Sequence, residues 1–428
     1  MDKEIYQEAE TLIRRLEKAS KFSARFQTYP FGEAKNVVLG MQHLAEKIPE
    51  IPEPANNEEV RQAELRRRLI GGSSMLEDYL DGKSPTFQRI MRDYGIQQED
   101  LDALLPWLEK NKERTQRAVE RLYQVTDIKN YELSLPLDIP AVRRGVEEFA
   151  RIIIEKYHRQ MGQLLQERTQ AGQFLRDVSA VPTLEGRSYF HSLTKTIALA
   201  VSRICHLTED GSIHFRPREL IKLYGHEGMG HALSNIITNQ AELPYFLKHE
   251  SGPVTVAANE SVAQWYQQVI FNDLKDAPET QKALDIAHNY LQIWQEAQDI
   301  QALEEYGLKC FQYAVLVLAD RSLGDKDDSR VIKERIARIE QVSLDPMQAK
   351  ALVENNRYHY DSEGNLQASL VSELRYTARP VERALQEFKK AGILYEGSGR
   401  SHIDMILLTG FWTPQGFVEN ARVNAKAV

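Results

Sequence analysis

Residues 219–233 read Glu219-Leu220-Ile221-Lys222-Leu223-Tyr224-Gly225-His226-Glu227-Gly228-Met229-Gly230-His231-Ala232-Leu233. The first half has the apolar spacing of a helix. The second half carries two histidines, a glutamate and two glycines. Imidazole and carboxylate are the donors that a divalent metal such as zinc takes from a protein.

The common way to put two metal-binding histidines on one helix is His-Glu-x-x-His, which places them four residues apart. Here one more residue intervenes, between His226 and His231. At about 100° per residue, an i,i+4 pair differs by roughly 40° and an i,i+5 pair by roughly 140°. A regular α-helix would point the two rings apart. A one-residue π-bulge would restore a shared face, and such bulges tend to mark functional sites. Gly228 and Gly230 each cost helix stability by about 1 kcal/mol relative to alanine, and they are expected to tolerate a distorted turn.

A catalytic zinc site has three protein ligands and one open position. The third ligand is expected downstream, where Ala257-Ala258-Asn259-Glu260-Ser261-Val262-Ala263-Gln264-Trp265-Tyr266 reads as a helix. Glu260 lies 29 residues after His231 (260 − 231), and Pro244, Gly252 and Pro253 let the chain turn back between them. Glu250, in His249-Glu250-Ser251, is the rival ligand. Glu227 is left as the general base. It would take a proton from a metal-activated water and pass it to a leaving amine.

At these residues the chain resembles the gluzincin metallopeptidases. His226-Glu227-x-x-x-His231 is similar to the lengthened motif of dipeptidyl peptidase III and of the tyrosine carboxypeptidase family that acts on tubulin tails, the latter with its bacterial relatives being nearer. In that family a strand and a helix precede the motif, and the ligand glutamate sits in a short Glu-Gly-Leu-Ala stretch. Ser212 to Arg216 and Glu260-Ser261-Val262-Ala263 correspond here, with serine and valine as departures. Helix-rich carboxypeptidases with a His-Glu-Ser motif are also similar around Asn259-Glu260-Ser261 and Trp265. The resemblance covers roughly residues 205–275. It implies zinc, a mainly α fold with a small mixed β-sheet beside the metal-binding helix, and a strand that pairs with an extended peptide substrate.

Peptide hydrolysis also needs a donor to the oxyanion. In the C-terminal third, Arg375-Tyr376-x-x-Arg379 is the first choice, for the oxyanion and for a substrate carboxylate. His402, after Gly397-Ser398-Gly399, is the second. That loop lacks the Lys-Ser/Thr ending of a phosphate cradle.

The rest of the chain sets bounds. Apolar periodicity marks helices at 3–19, 59–70, 97–125, 141–170, 280–304 and 330–354. The clearest strand, 212–216, follows Asp210-Gly211 and ends at Pro217. Three prolines between Pro49 and Pro54 mark a loop after an N-terminal helical hairpin. Pro136 and Pro140 suggest a boundary, giving an N-terminal helical region, 1–132, and a catalytic domain, 133–428. Tyr313 to Ala319 reads as a buried helix. Hydrophobic residues are 42% and charged residues 27%, a balance that excludes global disorder. The net charge of −8 does not favour nucleic acid as a partner. Cys205 and Cys310 lack metal-ligand spacing and read as core residues of a protein from a reducing compartment. There is no apolar leader and no run long enough to cross a membrane, so the expected location is the cytoplasm. The expected activity is that of a zinc peptidase acting on a peptide or protein substrate, with a carboxypeptidase first. An aminodipeptidase or oligopeptidase, or a non-catalytic metal-stabilised peptide-binding protein, are the alternatives.

Overall fold

The computed structural model describes residues 3–21, 31–125, 140–168, 178–184, 186–207, 213–248, 253–288, 292–293, 297–356, 359–395 and 399–427. The chain is mainly helical, with small mixed sheets. It divides into two compact units. The expected boundary at 132/133 lies outside the described residues.

The first unit comprises Met1–Glu113, Ala241–Ser261 and Tyr306–Val428. Long helices Phe31–Lys47 and Asn57–Asp81 pack together across the proline-rich loop. A buried core gathers Ile90, Tyr94, Leu101, Ala257, Val315 and Leu374. The unit also holds a buried ion pair. Glu64 accepts from Arg68 Nε at 2.9 Å, and both side chains are 0% exposed. Arg68 also donates to the carbonyls of Phe246 and Phe411. Glu64 accepts in turn from the Thr413 backbone N–H at 2.8 Å, which ties down the start of the helix Pro414–Ala427.

The second unit comprises Arg114–Gln240 and Val262–Glu305. Its long helix Pro140–Arg168 packs on the sheet and on the helix Pro278–His288. One sheet has the order β1-β3-β2, where β1 is Ser179–Thr183, β2 is Tyr189–His191 and β3 is Thr196–Ala200. β1 runs parallel to β3, and β2 antiparallel to it. A second sheet sets β5 (Ile213–Phe215) between β4 (Cys205–Leu207) and β6 (Gln292–Ile293). The strand expected at 212–216 is thus found at 213–215, and Ser212 lies outside the described residues.

Two expected helices are interrupted. The stretch 280–304 breaks around β6, between helices Pro278–His288 and Ala297–Ala319. The stretch 330–354 divides into Ser329–Val342 and Pro346–Asn356. Ser343 leaves the helix with an extended ψ of 144°, and Pro346 starts the next one. Asp345, the residue before Pro346, is disfavoured in the α region, so the first helix ends ahead of it. Tyr313 to Ala319 is helical, and Ala314, Val315, Val317 and Leu318 are buried, as expected. Both cysteines are free thiols. Burial pushes Cys205 up to about 12 and makes it an inert core residue. Among the described residues no helix is long and apolar enough to cross a membrane.

Candidate metal centre

The helix Pro217–Leu223 begins with proline at its first turn, where the missing N–H costs nothing. It runs directly into a π-helix, Tyr224–Ala232, and then into the α-helix Leu233–Gln240. The Leu233 N–H reaches the carbonyls of Gly228 and Gly230. The first of these is the i to i+5 bond that defines π geometry. π geometry is therefore present as expected from the histidine spacing, but as a continuous helix of nine residues and not as a one-residue bulge. It turns His226 and His231 to one side, with ring centroids 4.9 Å apart and planes at 81°.

Gly228 and Gly230 lie within the distorted turn, and with Gly225 they have a second role. Gly225, Gly228 and Gly230 all lack a positive φ. They also serve close approach. A Cβ on Gly225 would lie 2.9 Å from Gln267 Cα, and one on Gly230 would lie 2.6 Å from Ala263 Cβ. The helix Pro253–Leu274 thus rests with its backbone against the π-helix. On another side, a Cβ on Gly228 would meet Ile197 of β3 at 3.2 Å. The sheet expected beside the metal-binding helix is β1-β3-β2.

Glu260 is on that same helix Pro253–Leu274, one turn before Ala263. One ligand atom from each of His226, His231 and Glu260 lies within 4.8 Å of the others, and all three residues are partly buried. Two imidazoles and a carboxylate suit a divalent metal. The rival Glu250 lies outside the described residues. Glu227 is buried, at 5% exposure.

Arg375 and Tyr376 lie in a short 3-10 helix, Ser372–Thr377. Arg375 Nε is 3.9 Å from Glu260 Oε1, and Arg375 Nη2 donates to the Tyr376 hydroxyl oxygen at 2.7 Å. Burial first, and then the Glu260 charge, raise the Tyr376 pKa, so the phenol keeps its proton. Because the guanidinium fills one lone pair of the phenol oxygen, the phenol hydrogen points elsewhere. Arg379 is half exposed, with Nε 4.0 Å from Asp100. His402 has other partners. Its ring stacks on Phe388 at 4.4 Å, and its Nε2 faces the Ile393 carbonyl at 3.2 Å. Sequence reasoning missed Glu373, which lies 3.6 Å from Arg375 Nη1. No spacing rule signals an acid two residues before the arginine it holds.

The expectation that the strand before the metal helix receives a substrate is corrected. Among the described residues β5 is the central strand, with β4 on one side and β6 on the other. The outer strand that packs on the π-helix is β2.

Comparison of the chain with family models, curated proteins and solved structures returns no match.

Proposed function

We propose that this chain is a metal-dependent peptidase, with zinc as the metal and His226, His231 and Glu260 as its ligands. The observation that carries the reading is the π-helix, which gives two histidines five residues apart a common face beside Glu260. A helix pays stability for such a distortion, and π-turns collect at functional sites. The bound ion would act as a Lewis acid on a peptide carbonyl and on water. Glu227 is the proton carrier: its carboxylate takes a proton from the attacking water and returns it to the leaving amine. Tyr376 Oη, protonated and oriented by Arg375, is the donor to the developing oxyanion. An extended peptide would add to the open edge of β2.

Carboxypeptidase action is the mode we favour. Arg379 is the more exposed arginine of its cluster, at 50% against 19% for Arg375, and it would receive a terminal carboxylate. A purely structural site would usually carry four protein ligands, and it would need no buried carboxylate next to a ligand histidine.

The test is metal content by mass spectrometry, followed by cleavage of blocked peptides. One zinc per chain is expected, lost in His231→Ala and Glu260→Ala, with cleavage only of peptides that have a free C-terminus. A requirement for a free N-terminus would indicate an aminodipeptidase instead. No zinc uptake by the apo-protein would sink the reading.

A further inference from the structure

Arg375 has its nitrogens engaged inside the first unit. Nη2 donates to Tyr376 Oη at 2.7 Å and Nη1 to the Ser372 carbonyl at 3.0 Å. Nη1 is also 3.6 Å from Glu373 Oε1, and Nε is 3.9 Å from Glu260 Oε1. The guanidinium lies over the Tyr376 ring, 4.3 Å from its centroid. A group held on this many sides is a poor receptor for a substrate carboxylate, which wants a free fork. Its charge is directed at Glu260 instead. The Arg375 and Glu260 side chains are 19% and 16% exposed, so salt screens the pair weakly.

We propose that Arg375 is a positioning residue of the metal centre: it fixes the Glu260 carboxylate and, as a cation one carboxylate away, loosens the divalent ion and sharpens its Lewis acidity. This inference rests on the metal reading above. Two effects oppose each other. Fixing a glutamate side chain favours binding, by at most about tenfold to thirtyfold if every rotor were ordered. Glu260 is already held on a helix, so the real gain is smaller. Repulsion between a doubly charged ion and a guanidinium separated by one carboxylate exceeds it, even at an effective dielectric constant of about 20. Glu373 offsets part of the Arg375 charge, so its removal strengthens the repulsion.

The experiment is a zinc dissociation constant by competition with a chelating dye, on the full chain. Arg375→Gln and Arg375→Ala are expected to bind zinc about tenfold tighter than the parent. Arg375→Lys keeps the charge and stays near the parent. Glu373→Gln binds several-fold more weakly. Damage to the fold cannot imitate this pattern, because damage loosens metal. If Arg375→Ala does not fold, Arg375→Gln is the deciding variant. Equal or weaker zinc binding by Arg375→Gln, with one zinc in the parent, overturns the proposal and leaves the metal centre standing. No zinc in the parent or in any variant removes the metal reading and this inference with it.

Discussion

His226 and His231 stand five residues apart in sequence, yet their rings meet edge to face at 4.9 Å. The relationship exists because Tyr224–Ala232 winds as a π-helix, in which residues five apart come round to one side. Two neighbours hold that winding: the helix that carries Glu260 packs on Gly225 and Gly230, and β3 packs on Gly228. The distortion and the position of Glu260 thus depend on the same helix contact.

Gly230→Ala tests that dependence. The new methyl would overlap the backbone of Ala263, which cannot rotate away as a side chain can. Overpacking of this kind typically costs about 1–3 kcal/mol. We expect a lower melting temperature, and zinc affinity reduced more than the melting shift alone explains, because Glu260 moves with its helix. Thermal denaturation with and without zinc measures both. A variant with unchanged zinc affinity would show that the glycine contact does not position Glu260.

Glu227→Gln should leave metal content and melting temperature close to the parent and remove peptide cleavage. The substitution keeps the size of a buried side chain and removes its ability to take a proton. The expected loss of kcat is about 10²- to 10⁴-fold, the usual worth of general acid–base catalysis. Retained turnover would assign the base to another residue.

How far the sequence reaches is clear from these elements. The two histidines, the need for a π-turn and the nearness of Glu260 to them were legible, because metal chemistry restricts residue type and helix geometry restricts spacing. The resemblance implied a small mixed sheet beside this helix, but the strands that form it were not legible. β3, Thr196-Ile197-Ala198-Leu199-Ala200, is a short apolar run of a buried central strand, which periodicity does not separate from helix. β1 contains Pro182, which demotes a run in sequence but is tolerated on an outer strand. The placing of Arg375 against Glu260, 115 residues away (375 − 260), left no local pattern at all.

His158 predicts a pH dependence. Its Nε2 lies 2.7 Å from the Val178 carbonyl, and its ring is beside Tyr224 at 5.4 Å. Burial lowers its pKa below the ordinary 6.5, and the Val178 carbonyl only partly opposes this. The unfolded chain therefore binds a proton at a higher pH than the folded one does. Stability from this group is fully present above about 6.5 and falls as pH drops through the lowered folded value. Melting temperature measured from pH 8 to 5 should fall more steeply in the parent than in His158→Gln, which keeps a donor for the carbonyl and does not titrate. Parallel curves would remove His158 as the cause.

Glu64 and Arg68 predict a large and non-additive cost. Both side chains are 0% exposed, and Glu64 also accepts from the Thr413 backbone N–H and hydroxyl at 2.8 and 2.6 Å. Glu64→Ala would take the Glu64 carboxylate from the buried Arg68 guanidinium, and would take the acceptor from the start of the helix Pro414–Ala427. Breaking one side of a buried pair costs about 3–5 kcal/mol, more than the pair itself contributes against apolar residues of similar volume. The double variant Glu64→Leu with Arg68→Met should therefore lose less than the two single variants added together. It should not recover fully, because Arg68 also satisfies the carbonyls of Phe246 and Phe411. Urea denaturation of the two single variants and the double gives the coupling directly. Additive losses would mean that each residue acts through its backbone partners, Thr413 on one side and Phe246 and Phe411 on the other, and that the ion pair itself adds nothing.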